Sequence, residues 1–263
     1  MTSTADQAIS ALRTGHDTMA GVVADLPDDA LTGISGASEW TIADVLSHLG
    51  SGAEIGLAAL DASLSGTDAP GGDFNQGVWD RWNAMAPQEQ ADGFVKANEA
   101  LVRRYEGLDE PTRQTQQIKM FLPDPVDVAT AAAFRLNEFT LHSWDVRVAA
   151  DPAAVLAADA VPSLLDVAPL MFGWLGRPKD ILGGNHIVVA VQTTDPARDF
   201  GLEITDQVAL ADSPEESDAT LSLPTESWLR LISGRLSPAN TPTVVTTSGA
   251  VSLDQLRQIF PGY

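Results

Sequence analysis

The sequence predicts an α+β protein, a four-helix bundle followed by a small α/β domain, on three observations. Four amphipathic stretches fill the first 150 residues, the texture changes at Asp151-Pro152, and β-type runs with short helices occupy the rest. Helices segregated from a run of strands point to α+β rather than to a parallel sheet. The expected division is therefore residues 1–150 and residues 151–263.

The first helix is read from a 3.6-residue stripe of Ala8, Ile9, Leu12, Met19, Val22, Val23 and Leu26, stopped by Pro27. A second begins near Thr41, where Thr41 and Asp44 form a capping pair ahead of Ile42, Val45, Leu46 and Leu49. The Gly/Pro/Asp-rich stretch 65–74 reads as a loop. The third helix is expected over about residues 88–105, with Phe94, Ala97, Leu101, Tyr105 and Leu108 on one face. Pro123 and Pro125 set up a fourth, over about residues 126–150, apolar on most sides and so expected inside the bundle. A leading helix at about residues 153–175 then opens the second domain. It is followed by β-type runs at 186–194, 201–210, 219–223 and 243–247 and by short helices at 225–233 and 253–259.

Composition narrows the function. With 36 acidic against 15 basic residues and a formal net charge of −21, the surface repels nucleic acid and anionic membranes, so neither is an expected partner. An anionic small molecule would need a local arginine to offset that field. No basic stretch followed by an apolar run marks a signal peptide and no apolar segment approaches a bilayer span, so a cytoplasmic location is expected. The chain has no cysteine, which removes disulfides, thiolate ligands and a cysteine nucleophile together. Any thiol chemistry must use a thiol from outside. No Gly-x-Gly-x-x-Gly, Walker-type Gly-Lys-Ser/Thr or Gly-x-Ser-x-Gly elbow occurs.

The fourth helix carries the chemistry. Glu138 and His142 are four residues apart and leave one face a turn apart, with Asp145 three residues further on that face. Ionisable groups on an apolar, bundle-facing surface are unfavourable unless something pairs them, and a metal ion would. His48 beside the core stripe of the second helix supplies a third donor from a neighbouring helix. Two imidazoles and a carboxylate suit zinc and leave a position open; nickel or iron would tolerate the same set. Asp145 could orient a ligand histidine through its other ring nitrogen. Spacing alone leaves open a solvated helix face for Glu138 and His142, and a hydrogen-bonded core histidine for His48. His16, on the first helix, reads either as a satisfied core histidine or as a fourth ligand.

Two stretches together resemble a known family: Ser38-Glu-Trp40-Thr-Ile-Ala-Asp44-Val-Leu-Ser-His48-Leu49, and Arg135-x-x-Glu138-x-x-x-His142-x-x-Asp145. They are similar to the mycothiol-dependent maleylpyruvate isomerases, whose N-terminal domain is a DinB/YfiT-like metal-binding four-helix bundle. The C-terminal pattern, from Asp218-Ala-Thr-Leu-Ser-Leu through Ser227-Trp-Leu-Arg-Leu-Ile-Ser-Gly234-Arg235-Leu to Leu253-Asp-Gln-Leu256, resembles the sterol-carrier-like domain that ends these proteins. The resemblance implies His48, Glu138 and His142 as ligands of a divalent metal and mycothiol as the thiol cofactor. It further implies Arg235 as an activity-related residue, an interdomain or surface ion-pair arginine being the competing reading. Arg81 is a weaker candidate for a substrate carboxylate.

The resemblance implies an isomerase in which a thiolate adds to a conjugated double bond, the resulting single bond rotates and elimination returns the trans isomer. A thiol S-transferase would use the same thiolate on another small electrophile. The expected partners are thus a small-molecule substrate and a low-molecular-weight thiol, with the chain a monomer or small homo-oligomer. The alternative is a non-catalytic metal- or small-apolar-ligand-binding protein, which a fourth protein ligand such as His16 would favour, because structural zinc sites are closed.

Overall fold

The computed structural model describes residues 3–178 and 181–262. The chain divides into two compact units, residues 1–163 and residues 164–263.

Four long helices make the first unit: α1 (Thr4–Asp25), α2 (Ile42–Ser65), α4 (Pro87–Glu106) and α6 (Val128–Val148). Capping boxes start α1 at Ser3 and α2 at Thr41, where the Thr41 hydroxyl accepts from the Asp44 N–H and the Asp44 carboxylate accepts from the Thr41 N–H. Such caps satisfy helix donors that have no intrahelical partner. Gly66, left-handed at φ 69°, ends α2. The core comes from one stripe of each helix: Leu12 and Met19, Leu46 and Leu49, Phe94 and Leu101, Leu136 and Phe139 are buried. Helix α6 is buried on nearly every side, as its all-round apolar character predicts.

Two additions were not expected. The stretch read as a loop runs only to Gly71, and α3 (Gly72–Asn83) follows it. Its sequence is polar and buries only Val78 and Trp82, one turn apart, which is too sparse a stripe to stand out. A short helix α5 (Glu110–Thr115) and a two-stranded ribbon of β1 (Gln117–Ile118) and β2 (Val126–Asp127) then lead into α6.

Past α6 the expected helix starts late, α7 covering Val161–Leu175. Residues 151–160 stay with the bundle because Trp144 Nε1 donates to the Ala154 carbonyl at 2.7 Å and Arg147 Nη2 to the Val155 carbonyl at 2.8 Å. Pro162, suited to a first helical turn, marks where α7 can begin. The compact division therefore falls after Ser163 rather than at the change of texture near Asp151.

The second unit is built on a five-stranded sheet of order β5-β4-β3-β6-β7. Strand β3 (Ile187–Thr194) pairs antiparallel with β4 (Arg198–Ile204) and parallel with β6 (Ala219–Pro224). Strand β5 (Val208–Ala211) pairs with β4, and β7 (Thr246–Gly249) with β6. The run expected as one strand over 201–210 is the end of β4 and the start of β5, broken at Thr205, whose N–H donates to the Gln207 carbonyl at 2.8 Å. Helices α8 (Thr225–Ile232) and α9 (Leu253–Ile259) complete the unit, and Trp228 is buried with Phe172, Phe200 and Phe260 around it. The outcome is the expected α+β class. Among the described residues, no helix is long and apolar enough to cross a membrane.

Candidate metal centre

Helical spacing sends Glu138, His142 and Asp145 off one face of α6, and the capped start of α2 places His48 in its second turn. Packing brings the two helices together there. His48 Nε2 lies 3.3 Å from Glu138 Oε2, and His142 Nε2 lies 3.8 Å from the same oxygen. One donor atom from each of the three residues falls within 4.8 Å of the others. His142 is buried, while His48 and Glu138 are part-exposed, so the cluster is open on one side.

Asp145 orients the cluster from behind. It is fully buried, and its Oδ2 lies 2.9 Å from His142 Nδ1. An ionised carboxylate can only accept, so in the neutral imidazole Nδ1 carries the proton and the lone pair is on Nε2, the nitrogen nearer Glu138. The loop ahead of α2 is pinned to the same point, the Gly36 N–H donating to the Asp145 carbonyl at 2.7 Å. Glycine is required at this close approach, since a Cβ there would lie 2.5 Å from a Val148 methyl and 3.0 Å from the Asp145 Cα. Glu39, left-handed at φ 67°, turns the loop so that the Trp40 carbonyl accepts from the Ser35 N–H.

That loop delivers an aromatic wall that spacing alone had not singled out. The Trp40 indole stacks on His142, with ring centroids 5.9 Å apart and planes 18° from parallel, and stands 5.2 Å from the His48 ring. Its place directly before the Thr41 cap of α2 was the available signal.

The other histidine of the bundle is engaged elsewhere. His16 is buried, its Nδ1 3.0 Å from Asn98 Nδ2 and its Nε2 3.1 Å from Glu99 Oε2. Desolvation lowers its pKa, outweighing the opposite pull of the Glu99 charge. It is a satisfied core histidine, and no fourth protein donor joins the cluster among the described residues.

Of the arginines raised from the sequence, Arg81 on α3 is ion-paired with Glu54, whose carboxylate also accepts from Trp82 Nε1 at 3.0 Å. Burial would raise the Glu54 pKa, but these two donors hold it below the ordinary value. Arg235 lies in the second unit, buried, with Nη1 donating to the Ser233 carbonyl at 3.0 Å. A third arginine, Arg135, the first residue of the Arg135-x-x-Glu138-x-x-x-His142 pattern, sits one turn before Glu138 on α6.

Fold and site together define a class: a helical bundle presenting a two-histidine, one-carboxylate cluster, continued by a small α/β unit. Residues 12–147 match the model of the mycothiol maleylpyruvate isomerase N-terminal domain, and the chain belongs to that family. Two solved structures are similar over 100% of both chains. One is a crystal structure of the mycothiol-dependent maleylpyruvate isomerase, at 12% identity and a TM-score of 0.69. The other is a crystal structure of a histidine-to-alanine mutant of that enzyme, at 13% identity and a TM-score of 0.68. At such identities the likeness is one of fold. No curated protein matches the chain.

Proposed function

We propose that this protein is a mycothiol-using enzyme of small-molecule metabolism that holds one divalent cation through His48, Glu138 and His142. The reaction is cis–trans isomerisation of a small unsaturated acid or S-transfer to a small electrophile. The observation that carries the reading is the convergence of the three donors within 4.8 Å on an open-sided cluster. Two imidazoles and one carboxylate are a donor set that zinc takes well and that nickel or iron accepts. Three protein donors rather than four favour a working site over a closed structural one.

A bound divalent cation would lower the pKa of a coordinated thiol, so that its sulfur is anionic at neutral pH. The chain's own residues do the rest. His142 presents Nε2 because Asp145 holds its Nδ1 proton, and Trp40 lies against both imidazoles. The absence of cysteine agrees with a thiol brought from outside. Arg235 is proposed as an activity-related residue on resemblance alone. Arg81, bound to Glu54, would have to exchange that partner to receive a substrate carboxylate.

Metal analysis of protein purified without added metal tests the reading. Near-stoichiometric metal is expected in wild type and its loss in His142→Ala. A folded, metal-free wild type that also fails to take up zinc would overturn it. A mycothiol titration with and without chelator then separates enzyme from binder, since saturation unaffected by the chelator would exclude metal activation of the thiol.

A further inference from the structure

We propose that Arg135 is the anchor for a carboxylate group of the substrate, making this a site for a small anionic molecule; the proposal rests on the metal reading above. On α6, Arg135, Glu138 and His142 follow one another at spacings of three and four, so the guanidinium belongs to the same face as the cluster. It is gripped by one nitrogen only. Nη2 donates to the Leu49 carbonyl at 3.0 Å and to Asn98 Oδ1 at 2.7 Å. Leu49 directly follows His48, so the guanidinium is held at the level of the ligands. Asn98 is fully buried and is itself held by His16, so the grip is rigid.

Both acceptors on Nη2 are neutral. Elsewhere in this bundle Arg13, Arg81, Arg104 and Arg113 each close an ion pair with a carboxylate. In a chain with 36 acidic residues, Arg135 makes no such pair among the described residues, and its buried Nε has no hydrogen-bond partner. A buried donor left unpaired is unfavourable, and its presence calls for an explanation. Space is kept for the group as well: a Cβ on Gly52 would lie 3.3 Å from Nη1, so a side chain there would crowd it.

Burial pushes the Arg135 pKa down to about 10, so the group remains a cation at neutral pH. The Glu138 charge is the largest influence opposing that shift. Once Glu138 is committed to a metal ion, its negative charge is neutralised and Arg135 is left beside a positive centre without a counter-charge. A carboxylate is the ligand that such a pair of positive groups selects, and Nη1, whose hydrogens meet no acceptor among the described residues, can donate to one of its oxygens in a charge-assisted hydrogen bond. This supplies the local cation that an anionic substrate needs against a net charge of −21.

The test uses the full chain, zinc-loaded and without thiol, with maleate as the probe, on wild type, Arg135→Met and Arg135→Lys. Calorimetry is expected to show maleate binding to wild type, weakened tenfold or more in Arg135→Met and partly restored in Arg135→Lys, with zinc content equal in all three. Unchanged maleate affinity in Arg135→Met, or no maleate binding to wild type, overturns the proposal. Zinc lost from Arg135→Met but kept by wild type also overturns it, because Arg135 would then serve to position Glu138. If wild type holds no zinc, the metal reading fails by itself, and the same maleate comparison on metal-free protein still judges Arg135. Should Arg135→Met not fold, Gly52→Ala replaces it; the added methyl crowds Nη1, and weaker maleate binding at unchanged zinc content is expected.

Discussion

His142 and Asp145 form a buried pair one turn apart on α6, with Nδ1 and Oδ2 separated by 2.9 Å and the carboxylate fully shielded from water. The pair fixes the tautomer that leaves the lone pair on Nε2, the nitrogen nearer Glu138, so the cluster is oriented before anything binds. Asp145→Asn keeps the shape of the side chain but removes the obligate acceptor. Zinc affinity is expected to fall by about 10- to 100-fold, the usual effect of losing such a partner. A competitive chelator titration measures it, and unchanged affinity would show that Asp145 serves only the fold.

Trp40 lies against both imidazoles, so its emission should report on the cluster. Nickel titration is expected to quench wild-type tryptophan fluorescence, and Trp40→Phe, which keeps the other five tryptophans, is expected to lose that response while still taking up metal. Equal quenching in the variant would place the ion elsewhere.

The buried His16 gives stability a pH dependence of defined sign. Burial lowers its folded-state pKa below the ordinary value of 6.5, despite the opposing charges of Glu99, Asp17 and Glu106 and with Arg13 adding to the shift. Below 6.5 the unfolded chain therefore binds the proton more readily than the folded one, and stability declines as pH falls through that window. Urea unfolding at pH 7.5, 6.5 and 5.5 should show a shallower decline for His16→Gln than for wild type. Glu99, held below the usual carboxylate range chiefly by its bond to Arg13, contributes only at lower pH. Parallel profiles for the two proteins would refute the assignment.

Gly50 and Trp82 fit only as a pair. A Cβ at Gly50 would lie 2.2 Å from Trp82 Cη2 and 2.3 Å from Cζ3, so the ring rests directly on the α2 backbone two residues after His48. Gly50→Ala is expected to destabilise the protein by about 1–3 kcal/mol through overpacking. Thermal unfolding measures the loss, and Trp82→Leu in the same chain should recover part of it.

What the sequence by itself determined is what helical geometry dictates within a few turns. The spacing of Glu138, His142 and Asp145 on one face follows from 3.6 residues per turn. The Thr41–Asp44 cap fixes where α2 begins and hence the turn that carries His48. The α+β class follows from periodicities that local backbone geometry imposes. Helix α3 and the split between β4 and β5 were not legible, because a polar stretch with two buried side chains, or a turn inside an apolar run, leaves little trace in periodicity. Tertiary structure alone decided which residues meet. His48 and Glu138 are 90 positions apart, and their 3.3 Å approach depends on how α2 packs on α6. Packing likewise gave His16 to Asn98 and Glu99, laid Trp40 on His142, and set Arg135 against two neutral acceptors rather than a carboxylate. Such juxtapositions arise from the fit of whole helix faces, a property that no single stretch of the chain contains.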